Sequence, residues 1–232
     1  MKNLSSSVLS LFGILSAANL LAIAMQSAWG IYLTKPLLLT SLSLWFYLQT
    51  RHRQTPFTRA MLAGLIFSIA GDTFLMLNRE GAEQFFLYGL GSFLVAHLCY
   101  ITAFLKYPYL KNGLVAKNIW LVLPFVLFLA WFSWFLWSSL PPVFKIPVVV
   151  YATVIVTMAV TCLNMKGRIA EKAFQLLFTG ALLFVLSDSL IALTSFKYPD
   201  FSEIPARLSI MITYLAGQCL IAKGGELVGI EL

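Results

Sequence analysis

The sequence predicts an all-α polytopic transmembrane helical bundle of about eight spans, and three observations predict it. Of 232 residues, 60% are hydrophobic and only 11% are charged, whereas a soluble domain carries about 25% charged residues. A water-soluble fold of this length keeps much of its surface exposed and cannot hide so much apolar side chain. The apolar residues also fall in runs of about 20, the length that crosses the hydrocarbon of a bilayer. Finally, the bases between these runs alternate between a crowded side and a sparse one.

The first run, 8–27, follows Met1-Lys2-Asn3. It superficially resembles a secretory leader, but it has no clean small-residue cleavage site and further spans follow, so it reads as the first helix. The second, 30–49, is joined to it so tightly around Trp29-Gly30 that the two form a hairpin. Polar or Pro/Gly-rich punctuation separates the rest. Arg51-His52-Arg53-Gln54-Thr55-Pro56 precedes 57–77, Asn78-Arg79-Glu80-Gly81 precedes 84–106, and Lys111-Asn112-Gly113 precedes 116–138. Pro141-Pro142 precedes 144–164, Lys166-Gly167-Arg168 precedes 172–195, and Tyr198-Pro199-Asp200 precedes 205–222. No segment is long enough for a soluble domain, so residues 1–232 read as a single transmembrane domain.

The charges orient this arrangement. Eleven bases, from Lys2 to Lys223, fall on one side; Arg79, Lys145, Lys197 and Arg207 fall on the other; Lys35 is left inside a span, which accounts for all 16. The positive-inside rule then places both termini in the cytoplasm. A cysteine placed near Lys111 is therefore expected to resist an impermeant thiol reagent on intact cells, and one placed in the 78–83 loop to react. Labelling near Lys111 contradicts the topology. The excess of +7 sets orientation rather than marking nucleic-acid binding, because the bases form no stripe. Cys99, Cys162 and Cys219 lie in apolar runs without CxxC spacing and read as small hydrophobes.

Of nine acids, seven read as loop or tail residues; only Asp72 and Asp188 lie inside spans. With Lys35 they are the formally charged side chains left in the bilayer, each at a cost of about 2.5–3.5 kcal/mol on insertion scales. Counted from the outer ends of their spans, Lys35, Asp72 and Asp188 sit roughly 8, 8 and 11 Å deep at the helical rise. Tyr151 and Tyr214 fall at a similar depth, and His97 and Gln218 about a turn deeper. A polar pocket opening toward one face accommodates all of them. A faint repeat accompanies it: Ser68-Ile69-Ala70-Gly71-Asp72-Thr73 echoes Phe184-Val185-Leu186-Ser187-Asp188-Ser189 four spans later, pointing to two parallel four-helix halves.

The residues alone leave an enzyme, a proton- or lipid-coupled transporter and a partner-binding membrane protein open. They do narrow the chemistry. One intramembrane histidine with two aspartates is a poor zinc set, and no phosphate loop, GxSxG or CxxCH is present. No metal and no cofactor is expected.

Ser68-x-x-Gly71-Asp72-x-x-Leu75-Met76 is followed by Gly89-Leu90-x-Ser92-Phe93-x-x-Ala96-His97-x-x-Tyr100-x-x-x-Phe104. Further on come Gly180-Ala181-x-x-Phe184-x-x-Ser187-Asp188-x-x-x-Ala192 and Tyr214-x-x-x-Gln218-x-Leu220-Ile221. With Lys35-Pro36, this combination resembles the YhhN family of membrane proteins, whose characterised members are lysoplasmalogenases. The resemblance runs from the second span to the eighth and is weakest between Lys106 and Lys145.

It implies hydrolysis of the vinyl ether bond of a lysoplasmalogen to a fatty aldehyde and a glycerophospho-headgroup. Asp72 and Asp188 would be catalytic; Lys35, His97, Tyr100, Tyr151, Tyr214, Gln218, Ser68 and Ser187 would support them or bind substrate. The partners implied are a lysophospholipid and membrane lipid, and the setting expected is a bacterial inner (plasma) membrane. The chemistry is consistent with two carboxyl groups. Cleavage protonates the β-carbon and generates an oxocarbenium ion that water captures, which needs a proton donor and a nearby anion. Lys35 either differentiates the two carboxyls or binds the substrate phosphate.

Overall fold

The structure, a computed structural model, describes residues 2–77, 83–106, 113–200 and 203–231. The 78–82 and 107–112 segments, with Arg79, Glu80 and Lys111, lie outside the described residues. Nine α-helices are described: α1 (Lys2–Ala24), α2 (Ala28–Thr50), α3 (Pro56–Leu77), α4 (Glu83–Lys106), the short α5 (Leu114–Lys117), α6 (Leu123–Trp137), α7 (Pro142–Leu163), α8 (Glu171–Ala192) and α9 (Glu203–Glu231). Among the described residues, eight helices are long and apolar enough to cross a membrane, the 3₁₀ turn Ile119–Val122 being counted with α6. Helices serve here because every backbone polar group in hydrocarbon must find its partner within the segment. Hydroxyl residues follow the same logic: Thr40, Thr153, Thr157 and Thr213 donate to the carbonyl four residues back, as Thr40 does to Pro36 at 2.7 Å.

The closest partnerships are α3 with α4 and α8 with α9. Around the bundle α1, α2, α3, α4, α7, α8 and α9 each touch the next, and α9 closes the ring onto α1 while also reaching α2 and α3. Helix α6 stands outside, against α7, burying only Phe132 and Leu136 and leaving Trp131 and Trp134 exposed.

Three boundaries differ from the sequence reading, each for a local reason. The first hairpin turns at 25–27, ahead of Trp29-Gly30. Gln26 adopts a left-handed conformation (φ 55°), and Ser27 caps α2 by accepting from the Gly30 amide at 3.2 Å. Gly30 instead serves close packing, since a Cβ there would lie 2.7 Å from that of Ala22. The 116–138 span is interrupted at Asn118 because Asn164 Oδ1, from the end of α7, accepts from the Val115 and Ala116 amides and pins the short α5 separately. The last span runs on to Glu231, so Glu226 is a helix residue rather than a tail residue. Gly224, Gly225 and Gly229 hold this extension tightly on α8 and α3: a Cβ would meet Leu177, Met61 and Thr58 respectively at 2.6–2.7 Å.

The faint repeat has a counterpart in the packing. The buried residues Phe57, Thr58, Met61, Gly64, Leu65, Ser68 and Gly71 of α3 recur, at one constant spacing, as Ala173, Phe174, Leu177, Gly180, Ala181, Phe184 and Ser187 of α8. Likewise Phe93, Ala96, His97, Tyr100, Ala103 and Phe104 of α4 match Tyr214, Gly217, Gln218, Ile221, Gly224 and Gly225 of α9. The contacts match as well: Gly64 packs on Tyr100, and Gly180 on Ile221.

Candidate active site

The spacing that relates α3 to α8 pairs Asp72 with Asp188 and, applied to α2 and α7, pairs Lys35 with Tyr151. In the first half Lys35 Nζ lies 3.8 Å from Asp72 Oδ1. In the second the Tyr151 hydroxyl donates to Asp188. Each carboxyl thus faces the matching position on the preceding neighbour, one a cation and the other a phenol. The second asymmetry comes from across the bundle. Tyr214, on α9, donates to Asp72 Oδ2 at 2.6 Å. Its counterpart Phe93, on α4, lines an apolar cavity with Tyr151 and Asp188 and has no hydroxyl to give.

The consequence is two unlike carboxyl groups. Asp72 is 3% exposed and held by an ammonium and a phenol. Asp188 accepts from the Tyr151 phenol and lines the wall of a cavity formed by Leu75, Phe86, Leu90, Phe93, Ile191 and Phe196 among others. Phe86 and Phe196 line this cavity and Phe144 packs on both, the three rings 5.4–5.5 Å apart. Tyr214, which holds Asp72, and Phe93, which lines the cavity with Asp188, meet each other and Phe184 in mutual edge contact at 5.5–6.1 Å. Gly71 makes room for Phe93: a Cβ there would lie 2.6 Å from its ring.

A turn deeper, the Tyr100 hydroxyl donates to Gln218 Oε1 at 2.9 Å and Gln218 Nε2 donates to Ser68 Oγ at 3.0 Å. This buried chain fixes α9 against α3 and α4 just below the Tyr214–Asp72 bond. His97 is fully buried; its Nδ1 meets the Phe93 carbonyl, which only accepts, so Nδ1 carries the proton and Nε2 presents a lone pair. That Nε2 has no hydrogen-bond partner among the described residues, and the ring packs edge-on to Tyr151 (5.4 Å) and Phe184 (4.7 Å).

Of the residues singled out by sequence, the structure gathers Lys35, Asp72 and Tyr214; Tyr151, Asp188 and His97; and Ser68, Gln218 and Tyr100. Ser187 stands apart, since its Oγ donates to the Ile210 carbonyl at 3.1 Å and ties α8 to α9. Sequence reasoning misses Phe93 as a wall residue, and it misses Asn19, Thr194, Ser195 and Arg207, which line a second, more polar cavity with Lys35. Signals exist for two of them: Asn19 is a lone amide in an apolar run, and Arg207 is a base set about one turn inside its helix.

Fold and site together define an integral membrane protein with two differently partnered carboxyl groups between its helices. The chain belongs to the YhhN family, whose family model matches residues 30–225. It is 34% identical over 172 residues to lysoplasmalogenase TMEM86A of Bos taurus, covering 72% of this chain and 65% of that one. To lysoplasmalogenase TMEM86B of Sus scrofa it is 31% identical over 198 residues, covering 85% and 76%. To the lysoplasmalogenase of Mycobacterium bovis it is 29% identical over 170 residues, covering 72% and 60%. The chain thus spans between three fifths and three quarters of the length of these relatives. No solved structure matches it.

Proposed function

We propose that this chain is a lysoplasmalogenase-type hydrolase that cleaves the vinyl ether bond of a lysoplasmalogen by general acid/base chemistry of Asp188 and Asp72. The observation that carries the reading is the position of Asp188 at the wall of an apolar cavity, with Lys35, the partner of Asp72, lining a second cavity that shares Leu75, Phe86 and Ile191 with it. The names of the relatives and the family membership support the same reaction class.

In this mechanism the alkenyl chain lies in the aromatic cavity, and the Asp188 carboxyl gives its proton to the β-carbon of the vinyl ether. The π electrons form the new C–H bond, leaving an oxocarbenium ion at the ether carbon. Asp72, whose charge Lys35 anchors, supplies negative charge near the developing cation and receives a proton from the water that adds there. The hemiacetal then collapses: its hydroxyl proton leaves, the glycerol oxygen departs with a proton, and a fatty aldehyde and the glycerophospho-headgroup are released. One water is consumed, and the proton gained by Asp72 restores Asp188. Tyr151 and Tyr214 orient the two carboxyls by donating to them. The His97 ring packs edge-on to Tyr151, where its Nε2 lone pair is open to a hydrogen-bond donor of the bound substrate or its water. The protein acts in a bacterial inner membrane with both termini cytoplasmic.

Purified chain in detergent micelles is expected to release aldehyde from choline or ethanolamine lysoplasmalogen. Micelles have no sealed compartment, so a transporter yields no product under these conditions. Absence of aldehyde from both substrates, at a protein concentration that gives a monodisperse preparation, contradicts the reading.

A further inference from the structure

The second cavity opens at the same end of the bundle, between α1, α2, the π-helical turn Leu193–Lys197 and α9. It shares Leu75, Phe86 and Ile191 with the apolar cavity, so three apolar side chains are common walls of both. The π turn divides its own residues: Thr194 and Ser195 line the polar cavity, while Phe196 lines the apolar one. A molecule long enough to occupy both therefore meets two chemistries in sequence.

Two features of the polar cavity call for a ligand. Lys35 and Arg207 both line it; the Arg207 side chain is 44% exposed and, among the described residues, is paired with Glu203, an exposed carboxylate one turn earlier on the same helix. Such an exposed pair is worth little and yields readily to a better acceptor. A guanidinium matches phosphate oxygens in a bidentate fork. The second feature is independent. Asn19 is fully buried and lines the same cavity; its Nδ2 donates to Thr34 Oγ1 at 2.8 Å, but its Oδ1 has no partner among the described residues. The assignment of that amide is fixed by Thr34, whose hydroxyl proton is given to the Gly30 carbonyl at 2.6 Å. A buried amide oxygen left without a donor is costly, and a hydroxyl of a bound ligand satisfies it.

We propose that this cavity is the headgroup subsite for a lysophospholipid, with Arg207 the principal phosphate ligand and Asn19 Oδ1 the acceptor for the free glycerol hydroxyl. The identity of the lipid rests on the lysoplasmalogenase reading. Such a subsite supplies a selectivity that the apolar cavity alone lacks. A chain with a phosphate and a free hydroxyl is seated at the right depth, whereas a lipid acylated at that hydroxyl has no proton to give to Asn19.

Binding, rather than turnover, tests it, with probes that are not hydrolysed. The probes are a tritiated 1-O-alkylglycerophosphocholine, a saturated ether, and the 1-O-alkylglycerol of the same chain length, which lacks the phosphate. With the full chain in detergent micelles, Arg207→Gln is expected to weaken the phospholipid about tenfold while leaving the alkylglycerol within about twofold, as loss of one charge-assisted contact to phosphate predicts. Arg207→Lys is expected to recover part of the loss. Methylating the free hydroxyl of the phospholipid is expected to weaken its binding to the unsubstituted chain. Equal weakening of both lipids by Arg207→Gln, or none, overturns the phosphate assignment, and indifference to methylation overturns the role of Asn19. Displacement of the lipid by inorganic phosphate at equal concentration reveals a general anion site instead and also overturns the proposal. Because no probe is cleaved, these outcomes stand whether or not the chain releases aldehyde.

Discussion

Replacing Asp188 by Asn is expected to lower aldehyde release by at least about 100-fold, the low end for losing a general acid. The loss is large because no other acid among the described residues lines the apolar cavity, and a vinyl ether carbon is a weak base that waits on a positioned donor. The fold is expected to survive. Asparagine has the same shape, and its amide oxygen still accepts from Tyr151, so the α7–α8 contact is retained. Initial rates of aldehyde formation, with size-exclusion elution in detergent confirming an intact preparation, check both halves of the statement. Turnover within tenfold of the unsubstituted chain assigns the proton to another group.

Asp72→Asn is expected to be similarly slow, at or beyond about 100-fold, but with a different accompanying effect. Here the substitution strips Lys35 of its anion while leaving the ammonium between helices. Removing one partner of a buried pair costs about 3–5 kcal/mol, and less where water reaches it; the Lys35 side chain is 16% exposed, so the lower end applies. Asp72→Asn is therefore expected to lower the melting temperature, whereas Asp188→Asn is not. Adding Lys35→Met is expected to restore melting without restoring turnover. A single variant at Asp72 that melts normally and turns over normally removes it from the mechanism.

Much of the fold and part of the site are legible in the amino-acid sequence. Apolar run length gives the eight spans, because hydrocarbon thickness leaves little choice of helix length. Asp72, Asp188 and Lys35 stand out because charge is expensive there. The repeat is visible as an echo around the two aspartates, but its extent is not: Thr58 matches Phe174 and Ser68 matches Phe184, pairs that share a position in the packing and no chemistry. Burial is shared between the halves by geometry, not by residue type.

What escapes the sequence depends on long-range placement. Nothing in the run around Phe93 says that it takes the place of Tyr214 on the other half, yet that missing hydroxyl distinguishes the surroundings of the two carboxyls. Ser187 precedes Asp188 and reads as part of the site, but its hydroxyl is spent on the Ile210 carbonyl. Arg207 counts as an orienting base until α1 and α2 bring Asn19 and Lys35 to the same cavity. The interruption at Asn118 is written a whole span later, in Asn164, where local periodicity cannot see it.

The central claim, that the reaction begins with a proton placed on carbon, is tested most directly by turnover in heavy water with the aldehyde trapped as it forms. One deuterium is expected on the carbon next to the aldehyde group, with a slower rate than in ordinary water, and both the product and its label are expected to be lost in Asp188→Asn. Aldehyde released at the normal rate with no deuterium at that carbon contradicts the claim.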